Sequence, residues 1–200
     1  EFLGLLASAW FNFPSGKLKV VGVTGTNGKT SIATLLYHLF TGLGYQTGLI
    51  STISTIVGQA VEPATHTTPE ALRIQALLSE MVAAGCDYCF MEVSSHAVVQ
   101  HRITGIRFAG GIFTNLTHDH LDYHGTFQEY LRAKKGFFDG LSASSFALVN
   151  ADDKNGEVMV QNCMARKQSF STRAMADFRC RVMESHFDGM LLEMDGREVW

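Results

Sequence analysis

VVGVTGTNGKTS, residues 20–31, is the stretch whose reading decides the fold. Residues 18–24 (LKVVGVT) read as a strand, Gly25 and Gly28 break it, and from Lys29 onward the apolar spacing turns helical. Ile32, Leu35, Leu36, Leu39, Phe40 and Leu43 form that helical set, closed by Gly42 and Gly44. A glycine-rich turn between a strand and a helix lets successive backbone N–H groups face inward beside a helix N-terminus, which is what an anionic phosphate requires. Lys29 then stands where a cation reaches the outer phosphates, and Thr30 where a hydroxyl reaches Mg²⁺. The strict spacing G-x-x-x-x-G-K-[ST] asks for a glycine at Val23, and Gly22 comes one position early. The strand and helix nevertheless flank the loop as the motif demands.

Outward from this loop the alternation continues. QTGLI is a short strand, and a polar Thr/Ser segment follows, ending in THTTPE. There Thr68 is placed to cap a helix with Pro69 in its first turn. Leu72, Ile74, Leu77, Leu78, Met81 and Val82 give that helix its apolar stripe, and Gly85 ends it. Residues 88–93 are a strand, SSHAVVQHRI a loop or short helix, FAGGIFTNL a strand, TFQEYLRAKKGFFDGL a helix and SFALVN a strand. Strands separated by crossover helices predict an α/β fold with a mostly parallel, doubly wound sheet. From Lys167 onward, short strands with turns at Asp188-Gly189 and Asp195-Gly196 predict a small antiparallel annex.

Composition narrows the function. Lys and Arg number 16 against 19 Asp and Glu, a formal charge of −3, with 46% hydrophobic and 18% charged residues. That balance excludes an acidic disordered tail and a basic nucleic-acid binder. No run of about twenty apolar residues is present, so no spanning helix and no membrane partner are expected. Cys86 and Cys89 spell C-x-x-C, but they stand at a strand entry, where residues three apart face opposite ways. They are read, with Cys163 and Cys180, as reduced thiols rather than a metal or redox pair. The opening EFLGLLASAWFNFPSG has no basic start and no initiator Met, and is expected to come from the middle of a longer product.

Several further groups carry chemistry. Glu92 ends an apolar strand, the place where open α/β sheets bind ligands, and an acid there can hold Mg²⁺. THDHLDYHG, residues 117–125, gathers His118, Asp119, His120, Asp122 and His124. A dinuclear zinc hydrolase would read H-x-H-x-D-H; here the last His is one place late, and a phosphate loop is foreign to that fold. The alternative is one His or Asp assisting a Mg²⁺–phosphate site, the rest holding the loop. Residues 65–68 offer hydroxyls near a helix start, and Ser94, Ser95, Gln100 and Arg102 follow the strand of Glu92, with Arg102 suited to a carboxylate or phosphate.

In this order, TGTNGKTS, HTTPE, MEVSSHAVVQHR, FTNLTHDHLDYHG and YLRAKKGFF resemble the central ATP-binding domain of the Mur ligases, which add amino acids to the cytoplasmic peptidoglycan precursor. The likeness covers about residues 3–155 and is strongest to the branch that adds the third residue of the peptide. The resemblance implies that Gly25, Thr26, Asn27, Gly28, Lys29, Thr30 and Ser31 hold ATP, with Asn115 near the nucleotide. It implies Thr30, Glu92, His120 and Lys134, the last as a carbamate, as Mg²⁺ ligands. The family's Ala-Lys spacing favours Lys134 over its neighbour Lys135. Thr67, Thr68, Ser94, Gln100 and Arg102 would bind UDP-muramoyl-dipeptide, and Lys29, Glu92, His120 and Lys134 would serve catalysis.

The implied reaction phosphorylates the D-Glu γ-carboxylate with ATP, and an incoming amine, meso-diaminopimelate or L-lysine, displaces the phosphate. Residues 1–17 would be a linker from an N-terminal UDP-binding domain, and 18–200 a central domain cut short, with an amino-acid-binding domain beyond it. The enzyme is expected to be a cytoplasmic monomer. A folylpolyglutamate synthetase shares the loop style, but LDYHG and SSHAVVQHR point away from it. A non-ligating nucleotide-binding module would need neither the Thr/Ser/Arg cluster nor such a lysine.

Overall fold

The valines of residues 19–24 are buried in both directions, so the strand they form needs apolar cover on each face. The computed structural model describes residues 1–117, 121–194 and 196–200. The chain runs α1 (Phe2–Trp10), a 3-10 turn (Pro14–Gly16), β1 (Lys19–Thr24), α2 (Lys29–Gly42), β2 (Thr47–Ile50), β3 (Ser54–Val57), β4 (Ala60–Pro63), α3 (Ala71–Ala83) and β5 (Tyr88–Glu92). It continues through α4 (Ser95–Val99), β6 (Phe108–Phe113), α5 (Leu121–His124), α6 (Phe127–Asp139), β7 (Phe146–Asn150), α7 (Gly156–Met159) and β8 (Arg166–Ser171) to β9 (Phe178–Ser185), β10 (Met190–Met194) and β11 (Arg197–Val199).

The strands form one sheet in the order β11-β10-β9-β8-β7-β6-β1-β5-β2-β3-β4. From β2 across to β8 the neighbours are parallel, and each edge ends in an antiparallel meander. The sequential direction reverses at β1, which lies between β5 and β6. At this switch point the crossovers leave on opposite sides and open a crevice at the strands' carboxyl ends. Val23 pairs in register with Glu92, and Thr24 with Phe113. The glycine loop, Glu92 and the residues after Phe113 therefore share one end of the sheet.

Each face carries its own apolar cluster. On one, Val20, Ile50, Met91 and Val93 pack with Ile74, Leu77, Leu78 and Met81 of α3, Tyr130, Phe137 and Phe138 of α6, and Met159 of α7. On the other, Val21, Val23, Leu49, Phe90 and Ile112 meet α2 through Ala33, Ile32, Leu36 and Phe40. Among the described residues no helix is long and apolar enough to cross a membrane.

Four details depart from the sequence reading. The apolar set of α2 is wider than one interface can bury, so Leu35, Leu39 and Leu43 point outward, 65%, 56% and 64% exposed. Thr68 does not cap α3: Glu70 is its N-cap, without a side-chain bond, and the Thr68 hydroxyl is used elsewhere. The polar segment holds a hairpin, β3–β4, turning at Gly58 with φ +58°. β8 is not antiparallel but continues the parallel run from β7, and β9 joins β8 in parallel over two residue pairs, so only β9–β11 form the antiparallel annex. The first 17 residues contain helix α1 and the 3-10 turn. All four cysteines are free; burial pushes the Cys86 and Cys89 thiols up, as expected of inert thiols in a core.

Candidate active site

The loop from Gly25 to Gly28 is set by two glycines for different reasons. Gly25 has φ +152°, and a Cβ there would collide with Thr114 Oγ1. Gly28 has φ +83° and is the N-cap of α2, so its left-handed backbone is what turns the chain into the helix. Thr114 and Asn115 then staple the loop from the neighbouring strand end. Asn27 N–H donates to Asn115 Oδ1 at 3.0 Å, while the Asn27 carbonyl accepts from Asn115 Nδ2 at 3.0 Å and from Thr114 Oγ1 at 2.6 Å. Thr26 N–H donates to the Asn115 carbonyl at 2.8 Å, and the Thr26 hydroxyl lies 3.1 Å from that of buried Tyr130.

Lys29 begins α2 and curls back over the loop, its Nζ donating to the carbonyls of Gly25 at 3.0 Å and Thr26 at 2.8 Å. Thr30 and Ser31 follow in the same first turn, on the positive end of a 14-residue helix. Lys134, only 1% exposed, reaches in from α6 and donates to the same Gly25 carbonyl at 2.8 Å, with its Nζ 4.7 Å from the Tyr130 ring centroid. Lys135 turns away and pairs with Asp139 at 2.6 Å. Two lysine side chains thus converge on one carbonyl oxygen at this end of the sheet.

Glu92 is wholly buried at the end of β5. Its carboxylate accepts from Thr52, from the backbone N–H at 2.7 Å and the hydroxyl at 3.1 Å. No cation pairs with it among the described residues. A carboxylate offers roughly four lone-pair positions, so it has room for a hard cation besides these two bonds. Among the described residues no three His, Cys, Asp or Glu side chains gather into a metal cage. Mg²⁺ is commonly held by one or two carboxylates together with substrate phosphates, and a buried acid beside a phosphate loop fits that habit. His120 lies outside the described residues.

The hydroxyl cluster closes the other side. Thr68 Oγ1 donates to the Glu92 carbonyl at 2.8 Å and accepts from Ser94 N–H at 3.1 Å, while Ser94 Oγ caps α4 by accepting from Ala97 N–H at 3.2 Å. Arg102 donates to the Thr68 carbonyl at 3.0 Å and pairs with Glu70 at 3.0 Å. Lys29, Thr67, Thr68, Ser94, Arg102 and Lys134 all line one cleft of about 320 Å³. Gln100 does not line it; its Oε1 accepts from Arg102 Nε at 2.9 Å, so it orients the arginine from behind.

Sequence reasoning passed over other parts of this cleft. His66 and His96 line it, and both sit inside motifs already quoted; Ser95, which the sequence did single out, lines it as well. Thr52 and Asp153 had no motif to mark them. Asp153 accepts from Leu116 N–H at 2.7 Å, and Asn150 donates to the Thr114 carbonyl at 2.8 Å, so the segment after β7 fixes the loop that holds Asn115. A larger cavity, about 620 Å³, lies at the opposite end of the sheet among Tyr88, Phe108 and Phe146, which start their strands. It is apolar and far from the phosphate loop, and carries none of this chemistry.

The description Mur ligase middle domain matches residues 23–199. The UDP-N-acetylmuramoyl-L-alanyl-D-glutamate–2,6-diaminopimelate ligase of Cytophaga hutchinsonii is 56% identical over 200 residues, covering 100% of this chain and 41% of that protein. The ligase of the same name from Parabacteroides distasonis is 57% identical over 199 residues, again 100% of this chain and 41% of the relative. The chain thus spans about two fifths of the length of these curated relatives. Among solved structures, a UDP-N-acetylmuramoyl-L-alanyl-D-glutamate–2,6-diaminopimelate ligase superposes with a TM-score of 0.82 at 24% identity, over 96% of this chain and 42% of that one. The MurF ligase of Thermotoga maritima in complex with ADP gives 0.69 at 16% identity, over 96% and 43%; both share the fold. The glycine loop, the buried acid and the hydroxyl cluster thus stand on a known scaffold, and the chain belongs to the Mur ligase family, as its middle domain.

Proposed function

We propose that this chain forms the ATP- and acceptor-binding part of a ligase that joins meso-diaminopimelate to UDP-N-acetylmuramoyl-L-alanyl-D-glutamate in peptidoglycan synthesis. The observation that carries the proposal is the single cleft in which the phosphate-loop lysine, buried Lys134 and the Thr67/Thr68/Ser94/Arg102 group face one another. Relatives at 51–57% identity bear the name of that ligase, which favours diaminopimelate over lysine.

The reaction must bring two anions, the ATP γ-phosphate and the D-Glu γ-carboxylate, into line. A carboxylate oxygen attacks the γ-phosphorus and ADP leaves; the amine then attacks the acyl phosphate, loses a proton, and expels phosphate as the amide forms. Lys29, on leaving the Gly25 and Thr26 carbonyls, and the N–H groups at the start of α2 offset the phosphate charge, while Asn115 and Thr114 hold the loop in place by occupying the Thr26 and Asn27 backbone groups. Thr67, Thr68 and Ser94, with Arg102 held by Gln100 and Glu70, orient the acceptor, which turns an encounter of separate molecules into one of neighbours. Thr30, Glu92, His120 and Lys134 would hold Mg²⁺, which when bound screens the phosphate oxygens. For this Lys134 would act as a carbamate, its neutral amine adding to CO₂ with loss of a proton. ATP and a nucleotide-linked precursor are cytoplasmic metabolites, which supports a cytoplasmic enzyme, and a monomer is proposed with it.

The test is to incubate the full-length protein that carries this chain with ATP, UDP-muramoyl-dipeptide and candidate amines. ATP-dependent amide formation with diaminopimelate is expected. Nucleotide binding with no ligation of any amine would sink the proposal and leave a non-ligating module.

A further inference from the structure

We infer that Thr52 is a positioning residue that couples the Glu92 carboxylate to the acceptor-binding threonines. The inference rests on the functional reading above and adds to it a residue outside every motif. Thr52 lies in the exposed tip between β2 and β3. Its backbone N–H donates to Glu92 Oε1 at 2.7 Å and its hydroxyl to Oε2 at 3.1 Å, so one residue supplies a donor to each carboxylate oxygen. Such a fork fixes the rotation of the carboxylate and directs its other lone pairs. The same hydroxyl stands 3.1 Å from Thr67 Oγ1, toward which it is also placed to donate.

A hydroxyl has one proton, so Thr52 serves Glu92 or Thr67, not both at full strength. When a cation draws on Glu92, the Thr52 proton is released to Thr67, and Thr67 in turn is left with its own proton to offer an acceptor molecule. The adjoining Thr68 ties in the same residue through the Glu92 carbonyl at 2.8 Å. Binding at the cation side and at the acceptor side are then linked, and by thermodynamic reciprocity each strengthens the other. Thr52 is not needed to make its own turn. Ser51 does that, its hydroxyl donating to the Ser54 carbonyl at 2.9 Å and accepting from the N–H groups of Ile53 at 3.3 Å and Ser54 at 3.2 Å.

The experiment measures UDP-muramoyl-dipeptide affinity by calorimetry in the full-length protein, with and without Mg²⁺ and a non-hydrolysable ATP analogue. Wild type, Thr52→Val and Thr52→Ser are compared, with melting temperature as a fold control. The wild type is expected to bind the acceptor at least about fivefold more tightly in the presence of Mg²⁺–nucleotide. Thr52→Val, of the same shape, should lose most of that enhancement while melting normally, and Thr52→Ser should restore it. Full enhancement in Thr52→Val, or none in Thr52→Ser, would overturn the role of Thr52 alone. Failure of the wild type to bind the acceptor at all would overturn both this inference and the proposed function.

Discussion

Two lysines meeting at one carbonyl oxygen set the chemistry at the scale of single residues. Lys29 Nζ stands 3.0 Å and Lys134 Nζ 2.8 Å from the Gly25 carbonyl. Lys29 sits outside both apolar clusters, so Lys29→Ala should melt like the wild type. Loss of one charge-stabilising contact in a site of this kind costs about 10²- to 10³-fold in rate, and phosphoryl transfer in the full-length variant should fall by at least that much. Near-normal turnover would show that the loop does not cradle phosphate. The neighbouring pair gives a sharper contrast. Lys134 is buried on the cleft side, while Lys135 turns away from it and forms an i,i+4 pair with the exposed Asp139. Lys134→Ala should be nearly inactive and partly rescued by a short-chain carboxylic acid standing in for the proposed carbamate, whereas Lys135→Ala should be mild. Exchange of the two phenotypes would refute the carbamate role.

At the scale of elements, what was legible in the sequence is what local spacing encodes. β1, α2, β5, α6 and β7 each follow from an apolar period bounded by glycine or a capping residue; Thr126, for example, accepts from Glu129 N–H at 3.2 Å at the start of α6. The β3–β4 hairpin was hidden because its strands are only four residues long and lie at a sheet edge, where little burial imposes alternation. Thr68 looked like a cap because it precedes Pro69, but a long-range bond to the Glu92 carbonyl claims its hydroxyl. Thr52 could not be read at all, since its meaning lies in a residue 40 positions away. The turn after β8 offers a pH test of the same kind of long-range bond. Asp152 accepts from Ser171 Oγ at 2.5 Å and from Thr172 N–H at 2.8 Å, and chiefly the Ser171 bond pulls its carboxyl down from 3.8 to about 2. A depressed folded-state value stabilises above the unfolded pKa and is lost as pH falls from about 4 toward about 2. Asp152 is exposed and solvent screens its bonds, so Asp152→Ala should lower the melting temperature by about 2 °C at most near neutral pH, with the gap narrowing below about pH 4. A gap that widens on acidification would contradict this linkage.

For the whole molecule, the position of the cleft decides what these 200 residues can do alone. It opens at the carboxyl ends of β1 and β5, and its walls are Lys29 at the start of α2, residues 66–68, Ser94 with the start of α4, Arg102 and the Lys134 side of α6. A volume of about 320 Å³ is at the small end of what encloses even one drug-sized ligand. The proposed reaction needs ATP, a nucleotide-linked dipeptide and an amine held together, and the relatives that bear the ligase name are more than twice as long as this chain. Binding a nucleotide asks only for the loop, the helix end and Lys29, all present here. Lowering the barrier to amide formation asks for groups that grip the transition state from the far side and keep water from the acyl phosphate. The 200-residue chain should therefore bind Mg²⁺–ATP weakly, lose that binding in Lys29→Ala, and form no amide with any amine. Calorimetry with the nucleotide and a product assay check the two halves separately. Amide formed at an appreciable rate by this chain alone would mean that the catalytic surface is complete within these residues, and that the added length of its relatives serves something other than the reaction.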